Sequence, residues 1–268
     1  MRPRSWTNAE PGMEAILPAD PRATEDLTPP AAPAKEPDRV RSVFAARDRS
    51  RETRSRWELF NPACLHFVHE RERFLLALLM RHGFDAERLE SATVLSIGCG
   101  WGSELLDLVR YGAMPGRLMG LDLARDRLRR AKSRNPALAL IEANAADVPF
   151  RDASFDLVFQ FTLLTSVLET ESRRKIAREI LRVLSPNGMI VWYDFWPDSP
   201  SNPNVRGIRA AEIRSLFPAC TYDARSLTLP PPLSRWLVPR SWLLADLLSG
   251  VPMLRSFHLV GIQRRLTL

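Results

Sequence analysis

The sequence predicts an α/β fold: a doubly wound, mostly parallel sheet with helices on both faces. Two observations predict it. Short, largely apolar runs alternate with helix-period segments from residue 93 to residue 193, and strands that alternate with helices form a parallel sheet covered on both sides. A glycine-rich turn, Gly98-Cys99-Gly100-Trp101-Gly102, then joins the first strand directly to a helix.

In chain order, residues 1–40 are rich in Pro, Ala, Asp and Glu without sustained periodicity, which reads as a disordered tail. Residues 39–56 carry many arginines among few apolar residues. They read as a solvated helix face or the end of the tail, with a flap near an anionic substrate as the alternative. Ordered structure is expected from Trp57, and residues 41–90 form an N-terminal helical cap. After Asn61-Pro62, the residues Cys64, Phe67, Phe74, Leu75, Leu78 and Leu79 recur at helical spacing up to Gly83.

The main domain covers residues 91–268. Strands are predicted at 93–97, 117–121, 138–142, 155–160 and 189–193. Helices are predicted between them at 104–111, 125–132 and 172–184, and a turn at Ser185-Pro186-Asn187-Gly188. A helix at 205–217, strands at 223–227 and 256–263, and a helical insertion at 234–248 complete it, for seven strands in all.

The 268 residues are enough for one substantial core. The net charge of +7, almost all from arginine, permits an anionic partner without choosing one. Cys64, Cys99 and Cys220 are widely spaced. They make neither a disulfide framework nor a zinc pattern, so no metal and a reducing cytoplasm are expected. Residues 1–20 lack a signal-peptide core, and no apolar run is long enough to span a bilayer. Contact with a membrane is expected at most at its surface.

Five chemical features follow in fixed order. The glycine turn allows a ligand close to backbone and presents free N–H groups at the next helix. Its third glycine is at 102, whereas a dinucleotide fingerprint counted from Gly98 needs it at 103. Asp122 ends the second strand, where a carboxylate can accept both hydroxyls of a ribose. The segments 142–150 and 154–160, and the helix end 181–188, supply the rest.

Together these resemble the class I S-adenosylmethionine-dependent methyltransferases, in the group that includes quinone-biosynthesis enzymes. The resemblance is close over residues 93–194. It implies a Rossmann-like sheet with an antiparallel last strand, and S-adenosylmethionine as cofactor. Position by position, Gly98, Cys99, Gly100, Trp101 and Gly102 would hold the methionyl part and Asp122 the ribose, with Leu123 near the adenine. Asn144 and Ala145 would meet the adenine edge, and Gln160 with Phe161 would line the site beyond the fourth strand. Two positions depart from the family pattern: Ser96 stands where an acidic residue is usual, and Asn144 where an aspartate is. Ser96 removes a negative charge near the cationic half of the cofactor, which implies either weaker binding or compensation by a water or by a neighbour such as Glu104.

The expected acceptor is a small molecule, including lipid-linked sugars or glycolipids, methylated on oxygen. Quinone or secondary-metabolite methylation and a non-catalytic cofactor-binding role are the alternatives. An oxygen acceptor needs a base. Asp194 at the end of the fifth strand is the first candidate and His66 the second, with His69 and His258 read more simply as structural or surface residues. Nucleic acid is disfavoured as a substrate, because residues 160–164 carry no Asn/Asp-Pro-Pro-aromatic motif. Residues 227–260 interleave Trp236, Trp242 and several leucines with Arg235, Arg240 and Arg255. They read as a lid on the core or as a segment at a lipid surface.

Overall fold

A computed structural model describes residues 35–199 and 202–265. The chain runs α1 (Lys35–Arg49), α2 (Arg51–Ser55), α3 (Pro62–Arg81), α4 (Ala86–Ser91), β1 (Val94–Ile97), α5 (Ser103–Arg110), β2 (Leu118–Asp122), α6 (Arg125–Arg134), β3 (Ala139–Glu142) and β4 (Phe155–Phe161). It continues α7 (Thr170–Val183), β5 (Leu184–Phe195), α8 (Ala210–Leu216), β6 (Cys220–Leu227), α9 (Pro231–Leu237), α10 (Trp242–Ser249) and β7 (Phe257–Arg264).

The seven strands form one sheet in the order β3-β2-β1-β4-β5-β7-β6. The pairs β1–β2, β1–β4, β2–β3 and β4–β5 are parallel, while β7 runs antiparallel to both β5 and β6. Successive residues of a strand point to opposite faces, and each face has its own core. Leu95 and Ile97 join Ile176, Ile180 and Ile213 under α7 and α8. Val94 joins Leu75, Leu79 and Leu105 under α3 and α5.

The order of strands reverses between β1 and β4, and a crevice opens beyond the strand ends at such a point. Gly120, in mid-β2, lets the glycine turn lie close beside it. A Cβ there would fall 2.6 Å from Leu140 Cδ2, 2.8 Å from Cys99 Sγ and 2.9 Å from Leu105 Cδ1. Gly120→Ala is therefore expected to cost about 2 kcal/mol of stability through overpacking. A urea midpoint unchanged from the parent protein would refute this.

Several expectations need correction. Residues 1–34, most of the stretch read as a tail, lie outside the described residues. Helical structure is already present from Lys35, well ahead of Trp57, because α1 carries Glu36 and Asp38 in its first turn and Arg47 and Arg49 in its last, charges that complement the helix dipole. Residues 205–209 are not helical. Arg206 N instead donates to Thr165 O (2.9 Å) and Ile208 N to Phe195 O (3.1 Å), so the segment crosses the end of the sheet before α8.

The single helix expected over 234–248 is two. Pro231 starts α9, and Pro239, which has no N–H to continue the helical hydrogen bonding, ends it. Ser241 then caps α10 by accepting from Leu244 N (3.1 Å). The turn at 185–188 is an excursion within β5: Leu184 pairs with Phe155 and Met189 with Leu157, so the residues between them loop out of register.

Candidate functional site

The site starts at the end of β1. Gly98 has φ +74°, and its N–H donates to Leu121 O at 2.7 Å. A Cβ at this position would meet Leu163 Cδ1 at 3.0 Å. The backbone is left-handed and the neighbour is close, so any side chain here is strained. Gly100 and Gly102 also have positive φ, and α5 begins directly after them. The Asp122 carboxylate clamps this turn to the end of β2. Its Oδ2 accepts from Gly100 N (2.8 Å) and its Oδ1 from Ala124 N (2.7 Å). Each oxygen keeps a further lone pair for a ligand.

A pocket of about 130 Å³ lies beside the clamp. Gly98, Asp122 and Leu123 form its floor, Asn144 and Ala145 one wall, and Phe161, Leu163 and Val167 the other. Its roof is α1, which contributes Pro37, Val40, Arg41 and Phe44. Of the two readings of residues 39–56, the flap over a site therefore describes the geometry better than a solvated face.

The roof is fastened at both ends. Arg127 makes a two-pronged pair with Asp48 (2.7 and 2.6 Å) and lies over the Phe44 ring, 4.3 Å from its centroid. At the other end Glu36 accepts from Leu168 N (2.6 Å), and Arg39 donates to Ser166 O (2.6 Å). The Arg39 pair and the backbone N–H groups of Leu168 and Glu169 hold the Glu36 carboxyl below its ordinary range, against the opposing effect of burial. Asp48→Ala is expected to weaken ligand binding in the pocket about tenfold, as a charge-assisted pair that orders the roof is lost. An unchanged dissociation constant by calorimetry would show that the roof contributes nothing to affinity.

The other residues singled out in the sequence fall in different places. Cys99 is buried against β2, and burial among carboxylates pushes its thiol far up. Trp101 is half-buried outside the pocket, with Arg127 and Arg130 stacked on its ring (5.6 and 5.7 Å). Gln160 is fully buried and does not line the pocket. Its Oε1 accepts from Leu163 N (2.9 Å) and Leu164 N (3.1 Å), which shapes the turn that carries Leu163. The Asn144 oxygen is turned back onto Ala146 N (3.0 Å).

Neither base candidate reaches the pocket. Asp194 is 1% exposed, and its carboxyl accepts from Thr165 Oγ1 (2.5 Å), Thr165 N (3.2 Å) and Phe195 N (3.1 Å). Burial raises it to about 7 in spite of these bonds. His66 is buried between α3 and α10, with Nε2 3.0 Å from Asp246 Oδ1 and its ring edge-on to Trp242. His258 stacks on Trp196, and burial lowers its pKa.

Sequence reasoning missed Arg71 and α1. The Arg71 guanidinium lies over Phe161 and Tyr193 (5.1 and 5.5 Å to the ring centroids) and 3.8 Å from Asp107. It also faces Glu104 in the first turn of α5. Burial raises the Glu104 carboxyl, with Arg71 as the strongest opposing influence. A single arginine on a helix gives no sequence signal of this kind. The α1 roof did leave one: residues 37, 40, 41 and 44 fall at i, i+3, i+4 and i+7, on one helix face.

Residues 95–192 match the methyltransferase-domain family. Over these residues the chain is a class I methyltransferase domain, a family whose cofactor is S-adenosylmethionine. Over 48% of this chain the sequence is 30% identical to a 2-phytyl-1,4-naphtoquinone methyltransferase of Nostoc punctiforme, covering 57% of that protein. It is also 30% identical to a sterol 4-C-methyltransferase of Caenorhabditis elegans, over 48% of this chain and 40% of that protein. These matches span about half the length of the relatives. The fold of the methyltransferase domain and its surroundings resembles the 1,6-didemethyltoxoflavin-N1-methyltransferase of Burkholderia thailandensis, with a TM-score of 0.58 at 18% identity, over 93% of this chain and 95% of that one.

Proposed function

We infer that the chain transfers a methyl group from S-adenosylmethionine to a small, largely apolar acceptor. The observation that carries this reading is the pocket at the sheet's switch point, with Asp122 at its floor and α1 over it. A carboxylate with free lone pairs suits a ribose diol, and the apolar lining at Leu123, Ala145 and Val167 suits a purine ring. Gly98 lets the ligand approach the backbone. Arg71, over the Phe161 ring, and Glu104, in the first turn of α5, supply a cation and a carboxyl that suit the carboxylate and ammonium of an amino acid. Glu104 in this role answers the missing acid at Ser96.

When bound, the cofactor supplies an electrophilic methyl on sulfur, and the protein's main contribution is alignment and exclusion of water. The ring cluster Phe161, Tyr193, Phe257 and Phe195 (centroids 5.0–5.8 Å apart) lies at the ends of β4, β5 and β7. It favours an aromatic or other flat apolar acceptor beside the pocket. Transfer to oxygen, as the sequence suggested, would find neither Asp194 nor His66 at the pocket wall. An acceptor that ionises readily, such as a phenol or hydroquinone, removes the need for either. The named activities of the quinone and sterol relatives support an apolar acceptor.

Calorimetry with S-adenosylhomocysteine and with NADH tests the cofactor, and only the first is expected to bind. Incubation with a panel of hydroquinones and lipophilic phenols tests turnover by release of S-adenosylhomocysteine. Tight cofactor binding without turnover on any of them would favour the non-catalytic reading.

A further inference from the structure

The segment α9–α10 covers α3 with its faces reversed from what water favours. On α10 the small residues Ala245 and Ser249 point inward, while Leu243 and Leu247 are 72% and 63% exposed. The helix is held by Ala245 and Leu248, which join a small apolar cluster with Leu237 and Val238, by the Ser241 cap and by the Asp246–His66 pair at 3.0 Å. Two other apolar side chains are strongly exposed. One is Phe60, 99% exposed, in the loop before α3, and the other is Met253, 91% exposed, in the turn after α10. Ring contacts join the parts into one surface. Arg235 of α9 lies over Trp57 (5.2 Å), which packs near Phe67 of α3, and Trp242 of α10 meets His66 and His69 of α3.

Exposed apolar side chains on this scale mark a surface that is covered in use. The charge around them says by what. Within residues 230–255 the charged residues are Arg235, Arg240 and Arg255 against Asp246 alone, and Asp246 faces His66. Arg240 lies over the Trp236 ring (5.0 Å), and Trp236 is itself 58% exposed. Arg51, Arg54 and Arg56 precede Phe60 in the chain, against Glu52 and Glu58. Tryptophan and arginine rimming protruding Leu, Phe and Met suits the boundary between headgroups and acyl chains of an anionic lipid layer. Among the described residues no helix is long and apolar enough to cross a membrane, so the contact is a docking one.

We propose that Phe60, Leu243, Leu247 and Met253, with the arginines around them, dock this protein on an anionic membrane surface. This goes beyond the methyl-transfer reading and does not depend on it. The test is co-sedimentation of the full chain with vesicles of phosphatidylcholine alone or with roughly one-third phosphatidylglycerol, at low salt and at ~0.5 M NaCl. Binding to the anionic vesicles is expected to exceed binding to the neutral ones at least tenfold and to weaken with salt. The combined variant Phe60→Ser, Leu243→Ser, Leu247→Ser is expected to lose that binding at least tenfold. It should keep its far-UV circular dichroism and its affinity for S-adenosylhomocysteine, since these side chains lie outside the cofactor pocket. A milder variant, Leu243→Ser alone, covers the case in which the combined one does not fold, and is expected to show a partial loss. The proposal is overturned if the parent protein ignores anionic vesicles at low salt, or if the folded variants bind as well as the parent. It is also overturned if sedimentation velocity shows a dimer that the variants abolish while vesicle binding is absent, which would assign the surface to a second copy of the chain.

Discussion

Asp122→Ala is expected to weaken S-adenosylhomocysteine binding by about two orders of magnitude. The carboxylate would act twice. It would accept from the ribose hydroxyls, and a hydrogen bond to a charged group contributes about 1.5–3 kcal/mol. It also holds Gly100 N and Ala124 N at 2.8 and 2.7 Å, so its loss frees the glycine turn from the end of β2. Asp122→Asn separates the two effects. One amide oxygen can still accept from Gly100 N or from a hydroxyl, so an intermediate loss, about tenfold, is expected. Because the clamp lies at the rim of the sheet, the urea midpoint of either variant should move little compared with affinity. A dissociation constant for Asp122→Ala within threefold of the parent would refute the placement of the ribose.

The parts of the fold that were legible are those in which local pattern and tertiary packing agree. The four inner parallel strands β2, β1, β4 and β5 are largely buried and flanked by glycine or acidic turns, so their apolar runs stood out. The order of motifs around Gly98 and Asp122 then located the pocket without any knowledge of its roof. The misses have physical causes. Helix α1 is arginine-rich, and its packing is carried by Val40, Phe44 and ion pairs to distant residues such as Arg127. Composition therefore made it look like a tail. The break at Pro239 was legible in principle, but the apolar density on both sides of it hid two helices in one. Asp194 misled for a different reason. A strand end is where open sheets build sites, yet this carboxyl turns away from the pocket to hold Thr165.

That internal role gives the second large effect. Asp194 carries an ordinary value of 3.8 up to about 7 because it is buried. A carboxyl whose value is higher folded than unfolded favours the fold while it is protonated. Its contribution is complete below about pH 4 and is lost as the pH rises through about 7. The full rise corresponds to roughly 4 kcal/mol. Asp194→Asn has no proton to lose. Its amide group also places a donor against Thr165 N, which costs about 1–2 kcal/mol at any pH. The parent is therefore expected to be clearly more stable than Asp194→Asn near pH 5, with the gap closed or reversed near pH 8. Urea unfolding of both proteins across that range checks it, and a gap independent of pH would sink the argument. Turnover separates this role from that of a base. Removing a general base costs about 10²–10⁴ in rate, whereas a carboxyl that only braces Thr165 acts through the turn carrying Leu163 and Val167 to the pocket wall. Asp194→Asn is accordingly expected to keep turnover within about tenfold of the parent and to show its main effect on cofactor affinity.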